Sequence, residues 1–179
     1  MTDVLAACVA RFEALEDTLN ALDAAIGDGD HGSTILKGLR AAASDPNAAE
    51  MAFRKAAGGA SGALFAYVIA ALRRIEDGAP VGHTLQHAAD RIAALGQAKE
   101  GDKTMLDALL PAAGADTLQA AARAADMGRA ATANMAAKRG RARYVEGAGE
   151  GHVDAGATSV AELLAVWAGA QHMTDREAP

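Results

Sequence analysis

The sequence predicts an all-α fold, an up-and-down arrangement of about eight helices, on the strength of three observations. Apolar residues recur every three or four positions in segment after segment, and no stretch alternates as a half-buried strand would. Hydrophobic residues make up 51% of the 179-residue chain but aromatics only 3%, so Ala, Leu, Val, Ile and Met must build the core. That set suits closely packed helices better than sheets. Clusters of Gly, Pro, Asp and Asn interrupt the helical pattern at short intervals, as turns between helices would. A chain of this length is most simply one domain, covering 1–179.

Thr2 or Asp3 can cap a first helix in which Val4, Leu5, Cys8, Val9, Phe12, Leu15, Leu19 and Leu22 form one apolar stripe. An Asp- and Gly-rich stretch ends it. A second helix runs from about Ser33 through Ile35, Leu36 and Leu39 until Ser44-Asp45-Pro46-Asn47 stops it, and a short third covers about Ala48 to Ala57. After the glycine-rich residues 58–62, a fourth carries Leu64, Phe65, Val68, Ile69, Leu72 and Ile75 inward and ends at Asp77-Gly78-Ala79-Pro80. The fifth, about Thr84 to Gln97, meets the polar break Lys99-Glu100-Gly101-Asp102-Lys103, and Thr104 opens a sixth. Pro111 kinks this sixth helix, Met105 to Ala113, without dividing it. A seventh runs from Thr117 to about Ala137, the longest loop spans Lys138 to Thr158, and an eighth reaches Met173 before a frayed tail, Thr174 to Pro179.

If these helices alternate in direction, connections one, three, five and seven share one end of the bundle and the others share the opposite end. The two sets differ in kind. Connections two, four and six, around Pro46, Pro80 and Asp116, are ordinary turns, whereas the odd set holds the Asp- and Gly-rich stretch, residues 58–62, Gly101-Asp102-Lys103-Thr104 and a long Arg- and Gly-rich segment. Everything with chemical character collects at one pole.

Within that pole, Asp23, Asp28 and Asp30 crowd three carboxylates into one short segment whose repulsion calls for solvent or a cation. Gly27, Gly29 and Gly32 allow the close backbone approach that an oxygen-rich metal and phosphate site requires, although a solvated acidic turn would use the same residues. An EF-hand beginning at Asp28 is excluded, because Ser33 and Leu39 fall where glycine and glutamate are needed. A phosphate-binding loop of the Walker type drawn from Gly96 fails because Asp102 stands where the lysine must be. Gly58-Gly59-Ala60-Ser61-Gly62 opens a helix and suits either a phosphate or a flexible turn with Ser61 as N-cap. Lys103 reads as a solvated charge and Thr104 as a cap. Lys138 and Arg139 fit a helix C-terminus, while Arg141 and Arg143 fall in the loop, where that explanation is weaker. His31 and His152 lie in polar Gly- and Asp-containing loops, unlike His83, His87 and His172.

A net charge of −6 argues against nucleic acid as the main partner. The lone Cys8 leaves no internal disulfide and no multi-cysteine zinc site. No apolar run approaches a membrane span and the N-terminus has no basic leader, so a cytoplasmic location and no membrane partner are expected.

Five stretches, LNALDAAIGDGDHGS at 19–33, GGASGALF at 58–65, GDKTMLDAL at 101–109, GRARY at 140–144 and GHVDAGATS at 151–159, resemble in the same order the motifs of one family. It is the nucleotide-binding L subunit of dihydroxyacetone kinase, the same unit as the C-terminal domain of single-chain ATP-dependent dihydroxyacetone kinases. The resemblance covers nearly the whole chain. It implies an antiparallel barrel of eight helices that binds ADP or ATP at one end. It further implies that Asp23, Asp28 and Asp30 hold two Mg2+ ions on the nucleotide phosphates and serve catalysis. His31, Ser33, Ser61 and the backbone of Gly58, Gly59, Ala60 and Gly62 would contact phosphates. Thr104 and Met105 would line the nucleotide pocket together with Asp154 and Gly156, and Arg141 would cover it as a catalytic and nucleotide-binding residue.

The function so implied is phosphoryl delivery to dihydroxyacetone or a related short ketose held by a separate K-type subunit. The donor would be ATP, or a phosphotransferase-system protein if ADP is resident. A non-catalytic nucleotide-sensing or regulatory module is the alternative, and the intact aspartates favour the enzyme. Ala155 departs from the family's usual proline, and the segment 45–58 is shorter than usual.

Overall fold

Each helix of the protein packs on the next, and the last returns to the first, closing a ring. The computed structural model describes residues 4–25, 27–139 and 146–177. In order these form α1 (Val4–Ala24), α2 (His31–Ser44), α3 (Ala49–Ala57), α4 (Gly59–Glu76), α5 (Val81–Gly96), α6 (Leu106–Ala113), α7 (Leu118–Ala131) and α8 (Ala155–Glu177). No strand occurs among the described residues, so the all-α barrel expected from the sequence is the fold observed. No helix is long and apolar enough to cross a membrane.

Small residues set how closely the ring closes. A Cβ on Gly38 of α2 would lie 2.6 Å from the Phe53 ring of α3, and one on Gly128 of α7 would lie 2.1 Å from the Asp107 carbonyl of α6. The Phe53 ring therefore lies on bare backbone of α2, and the α6 and α7 backbones approach one another directly, while alanines fill space between the larger side chains. Phe12, Phe53, Phe65 and Trp167 are buried in this core, and Cys8 lies on the buried stripe of α1 as its spacing suggests. Pro111 sits inside α6 without dividing it.

Several helix ends differ from the expectation. α4 begins at Gly59, so the supposed loop at 58–62 is mostly its first turn, with Gly58 at the N-cap in place of Ser61. α5 starts at Val81, directly after Pro80. α7 stops at Ala131 and passes into a 3₁₀ turn, Thr132–Asn134, because the carbonyls of Thr132 and Met135 turn to accept from the Lys103 ammonium at 2.7 and 3.1 Å. α8 starts at Ala155, since Asp154 Oδ2 accepts from Ala157 N at 2.7 Å as an N-cap, and it continues through the expected tail to Glu177.

Candidate functional site

One cleft of about 790 Å³ takes residues from all four odd-numbered connections. The α1–α2 connection gives Asp23, Asp28, Asp30 and His31; α3–α4 gives Gly58, Gly59, Ala60 and Ser61. Gln97, Lys103, Thr104 and Met105 come from α5–α6, and Arg139, Asp154 and Gly156 from α7–α8. The turns around Pro46, Pro80 and Asp116 contribute nothing to it, so the helices do alternate and the chemistry does gather at one pole.

The acidic corner is built around Asp23. Its Oδ2 accepts from Gly29 N at 2.8 Å and Asp30 N at 3.1 Å, which wraps the loop about the carboxylate at the end of α1. A Cβ at Gly27 would stand 2.5 Å from Asp23 Oδ1 and displace that carboxylate, and Gly29 has φ +78°, a conformation that favours glycine. Asp23, Asp28 and Asp30 each bring one carboxylate oxygen within 4.8 Å of the other two. Repulsion at that separation is about 1 kcal/mol per pair even when water screens it. An all-oxygen, trianionic donor set of this kind fits a small hard cation such as Mg2+, which favours one or two carboxylates plus phosphate oxygens and water.

Across the cleft, α4 begins with no side chain capping it, and Gly58 at φ +67° lets the chain turn into the helix. Gly62 N is the first to find a helical acceptor, Gly58 O at 2.9 Å, so the Gly59, Ala60 and Ser61 amides have none within the helix. Such amides and the helix dipole attract anions. His31 faces the same space with an exposure of 9%; its Nε2 lies 2.8 Å from Ser159 Oγ and its ring meets Phe65 edge-on at 5.7 Å. Burial lowers its pKa against the opposing pull of Asp23, leaving a neutral imidazole at pH 7.

Ser33 and Gly62 do not line the cleft. Ser33 is spent on α1, donating to Glu16 Oε1 at 2.7 Å and accepting from Asn20 Nδ2 at 3.0 Å. Arg141 lies outside the described residues.

Lys103 overturns its expected role as a solvated charge. It is 2% exposed, and its ammonium points into the protein toward main-chain carbonyls. Burial lowers its pKa, with Asp154 and Glu150 opposing the change. Asp107, also missed, is 3% exposed and accepts from Thr104 N at 2.7 Å and from Gly101 N at 2.5 Å. Met105 is the N-cap of α6; Thr104, one residue before it, accepts from Leu106 N at 3.2 Å through Oγ1, and Asp107 reaches back to the Thr104 amide. The T-x-x-D spacing was the available signal, a capping-box pattern. Arg139, expected merely to end a helix, lines the cleft and lies 3.4 Å from the buried carboxylate of Asp102.

Burial pushes the Asp154 carboxyl up to about 6 from its ordinary 3.8; the Ala157 N–H opposes this, Asp107 adds to it, Lys103 opposes it and Asp23 adds to it. A carboxyl whose folded pKa is raised contributes stability that is fully present below about pH 4 and lost as pH rises through about 6. Two units amount to about 3 kcal/mol. Asp154→Asn keeps a cap oxygen and removes the charge, so it should raise the melting temperature of the ligand-free protein above pH 7 by roughly 6–12 °C. The gap should close below about pH 4; an equal gap at both pH values would count against the assignment.

Comparison with known proteins gives the chain a family. The model of the family described as the DAK2 domain matches residues 25–169. The D-erythrulose kinase of Mycolicibacterium smegmatis is 38% identical over 82% of this chain and 31% of its own length. The dihydroxyacetone kinase of Citrobacter freundii is 36% identical over 84% of this chain and 31% of its own. The crystal structure of the latter enzyme in complex with AMP-PNP and Mg2+ superposes with a TM-score of 0.70 at 30% identity, covering 93% of this chain and 33% of that one. The chain thus spans about a third of the length of these relatives.

Proposed function

Because the chain belongs to the DAK2 domain family, we propose that its cleft holds a magnesium nucleotide and serves phosphoryl transfer to dihydroxyacetone or a related short ketose presented by a separate K-type polypeptide. The observation that carries this reading is the meeting of three carboxylates and an uncapped helix N-terminus on one cleft. The solved relative in complex with AMP-PNP and Mg2+ supports it.

In this reading Asp23, Asp28 and Asp30 hold Mg2+, two ions being the number the family resemblance implies, and the metal neutralises phosphate charge when bound. The Gly59, Ala60 and Ser61 amides receive phosphate oxygens, and Met105, Thr104 and Gly156 flank the remainder of the nucleotide. His31, neutral and anchored on Ser159, offers a hydrogen bond without adding charge. Arg139 supplies a cation on the open side. Phosphoryl transfer demands mainly alignment and charge neutralisation, which these groups provide for the donor half.

The test is reconstitution. With Mg-ATP and dihydroxyacetone, the purified chain should leave the ketose unphosphorylated, and a K-type subunit, with a phosphoryl-donor protein where ADP is resident, should start turnover. Rapid turnover by the chain alone would contradict the division of labour. Absence of nucleotide binding would contradict the reading itself.

A further inference from the structure

The Lys103 ammonium donates to the carbonyl oxygens of His152, Thr132, Gly149 and Met135 at 2.5, 2.7, 2.8 and 3.1 Å. Three N–H groups serve four acceptors, and all four are main-chain carbonyls, with no carboxylate among them. A buried ion pair would use a carboxylate. A ring of carbonyl oxygens instead matches the way proteins replace the hydration shell of a large monovalent cation. The arrangement is also held against backbone preference, since Lys103 has φ +59°, where a side chain is disfavoured.

We propose that these four carbonyls form a backbone cage for a monovalent cation of the size of ammonium or potassium, and that Lys103 fills it from within the chain as a positioning residue for the cleft. The cage joins the α5–α6 connection to both ends of the α7–α8 connection. Thr132 and His152 flank Asp154 in space: Thr132 Oγ1 accepts from Asp154 N at 2.9 Å, and His152 lies two residues before it. Lys103 in turn precedes Thr104 and Met105, and Met105 Cβ would be 3.5 Å from a Cβ on Gly156. A cation in the cage therefore keeps the two walls of that part of the cleft in register. The cage stands on its own geometry, whereas its effect on ligand affinity rests on the nucleotide reading above.

Lys103→Gly tests this, because glycine accepts the positive φ while emptying the cage. Melting should be followed in chlorides of potassium, ammonium, sodium and lithium at matched ionic strength. In lithium the variant should melt about 10 °C or more below wild type, or be unfolded. Potassium or ammonium should restore most of that loss, and wild type should not distinguish the salts. Lys103→Met, whose apolar stem occupies the cage without charge, should stay destabilised in every salt. Indifference of the glycine variant to the identity of the cation, including failure to fold in all four salts, would overturn the proposal. Methionine performing as well as lysine would do the same. Mg-ADP affinity of the glycine variant should drop about tenfold in lithium and recover in potassium. A wild-type protein that does not bind Mg-ADP would defeat the nucleotide reading while leaving the salt-dependent melting to judge the cage.

Discussion

Asp30→Asn is expected to reduce Mg-ADP affinity at least about 100-fold while leaving the ligand-free protein as stable as wild type or slightly more so. Removal of groups that only support metal ligands already costs 10–100-fold, and a direct ligand sets a higher floor. The Asp30 carboxylate caps no amide of α2, so its loss breaks no fold contact of that kind. It does relieve repulsion with Asp23 and Asp28, each within 4.8 Å, against a smaller loss of favourable charge at the α2 N-terminus. Asp23→Asn should be harsher on the fold, because Asp23 Oδ2 receives two loop amides. Calorimetry and thermal melting on the same samples check both halves; loss of the helical fold in Asp30→Asn would make the aspartate structural.

Gly32→Ala should damage fold and site together. A Cβ at Gly32 would stand 2.3 Å from the Glu16 carbonyl and 3.0 Å from Leu19 Cβ, where α2 starts against α1. Backbone oxygen cannot step aside as a side-chain tip can, so the helices must part. Overpacking of this kind costs about 3 kcal/mol, or roughly 6–12 °C in a chain of this size. Because Asp30 and His31 immediately precede Gly32, the shift also carries them away from Asp23, and Mg-ADP affinity should fall by about tenfold or more. Gly169→Ala, in α8 with open space around it, is the control and should be neutral or mildly stabilising. Equal melting of the two variants would mean that α1 and α2 can separate freely.

The pole-forming connections were legible in the sequence because helix ends are signalled locally, by Gly, Pro and Asp within a few residues. Alternating those signals placed Asp28, Gly58, Thr104 and Asp154 at one end, and one cleft receives them all. Lys103 was not legible. Its partners are 29 to 49 residues away, and only the folded ring brings the carbonyls of Thr132 and His152 to it. The start of α4 differs from the reading for a local reason: Gly58 takes φ +67°, which glycine accepts, so the chain turns there and Gly59, Ala60 and Ser61 already form the first turn of the helix. Ser33 lies beside the site with its hydroxyl donating to Glu16 and accepting from Asn20, a pairing with α1 that no local motif signals.

The central claim, that three carboxylates and a helix N-terminus hold a nucleotide through Mg2+, is tested most directly by titrating ADP into the purified protein by calorimetry with magnesium and again in excess chelator. Polyphosphate and the three aspartates repel until cations sit between them, so the two ligands should bind interdependently. The account predicts saturable binding with magnesium and a loss of at least about 100-fold without it. Equal ADP affinity in both titrations would contradict it.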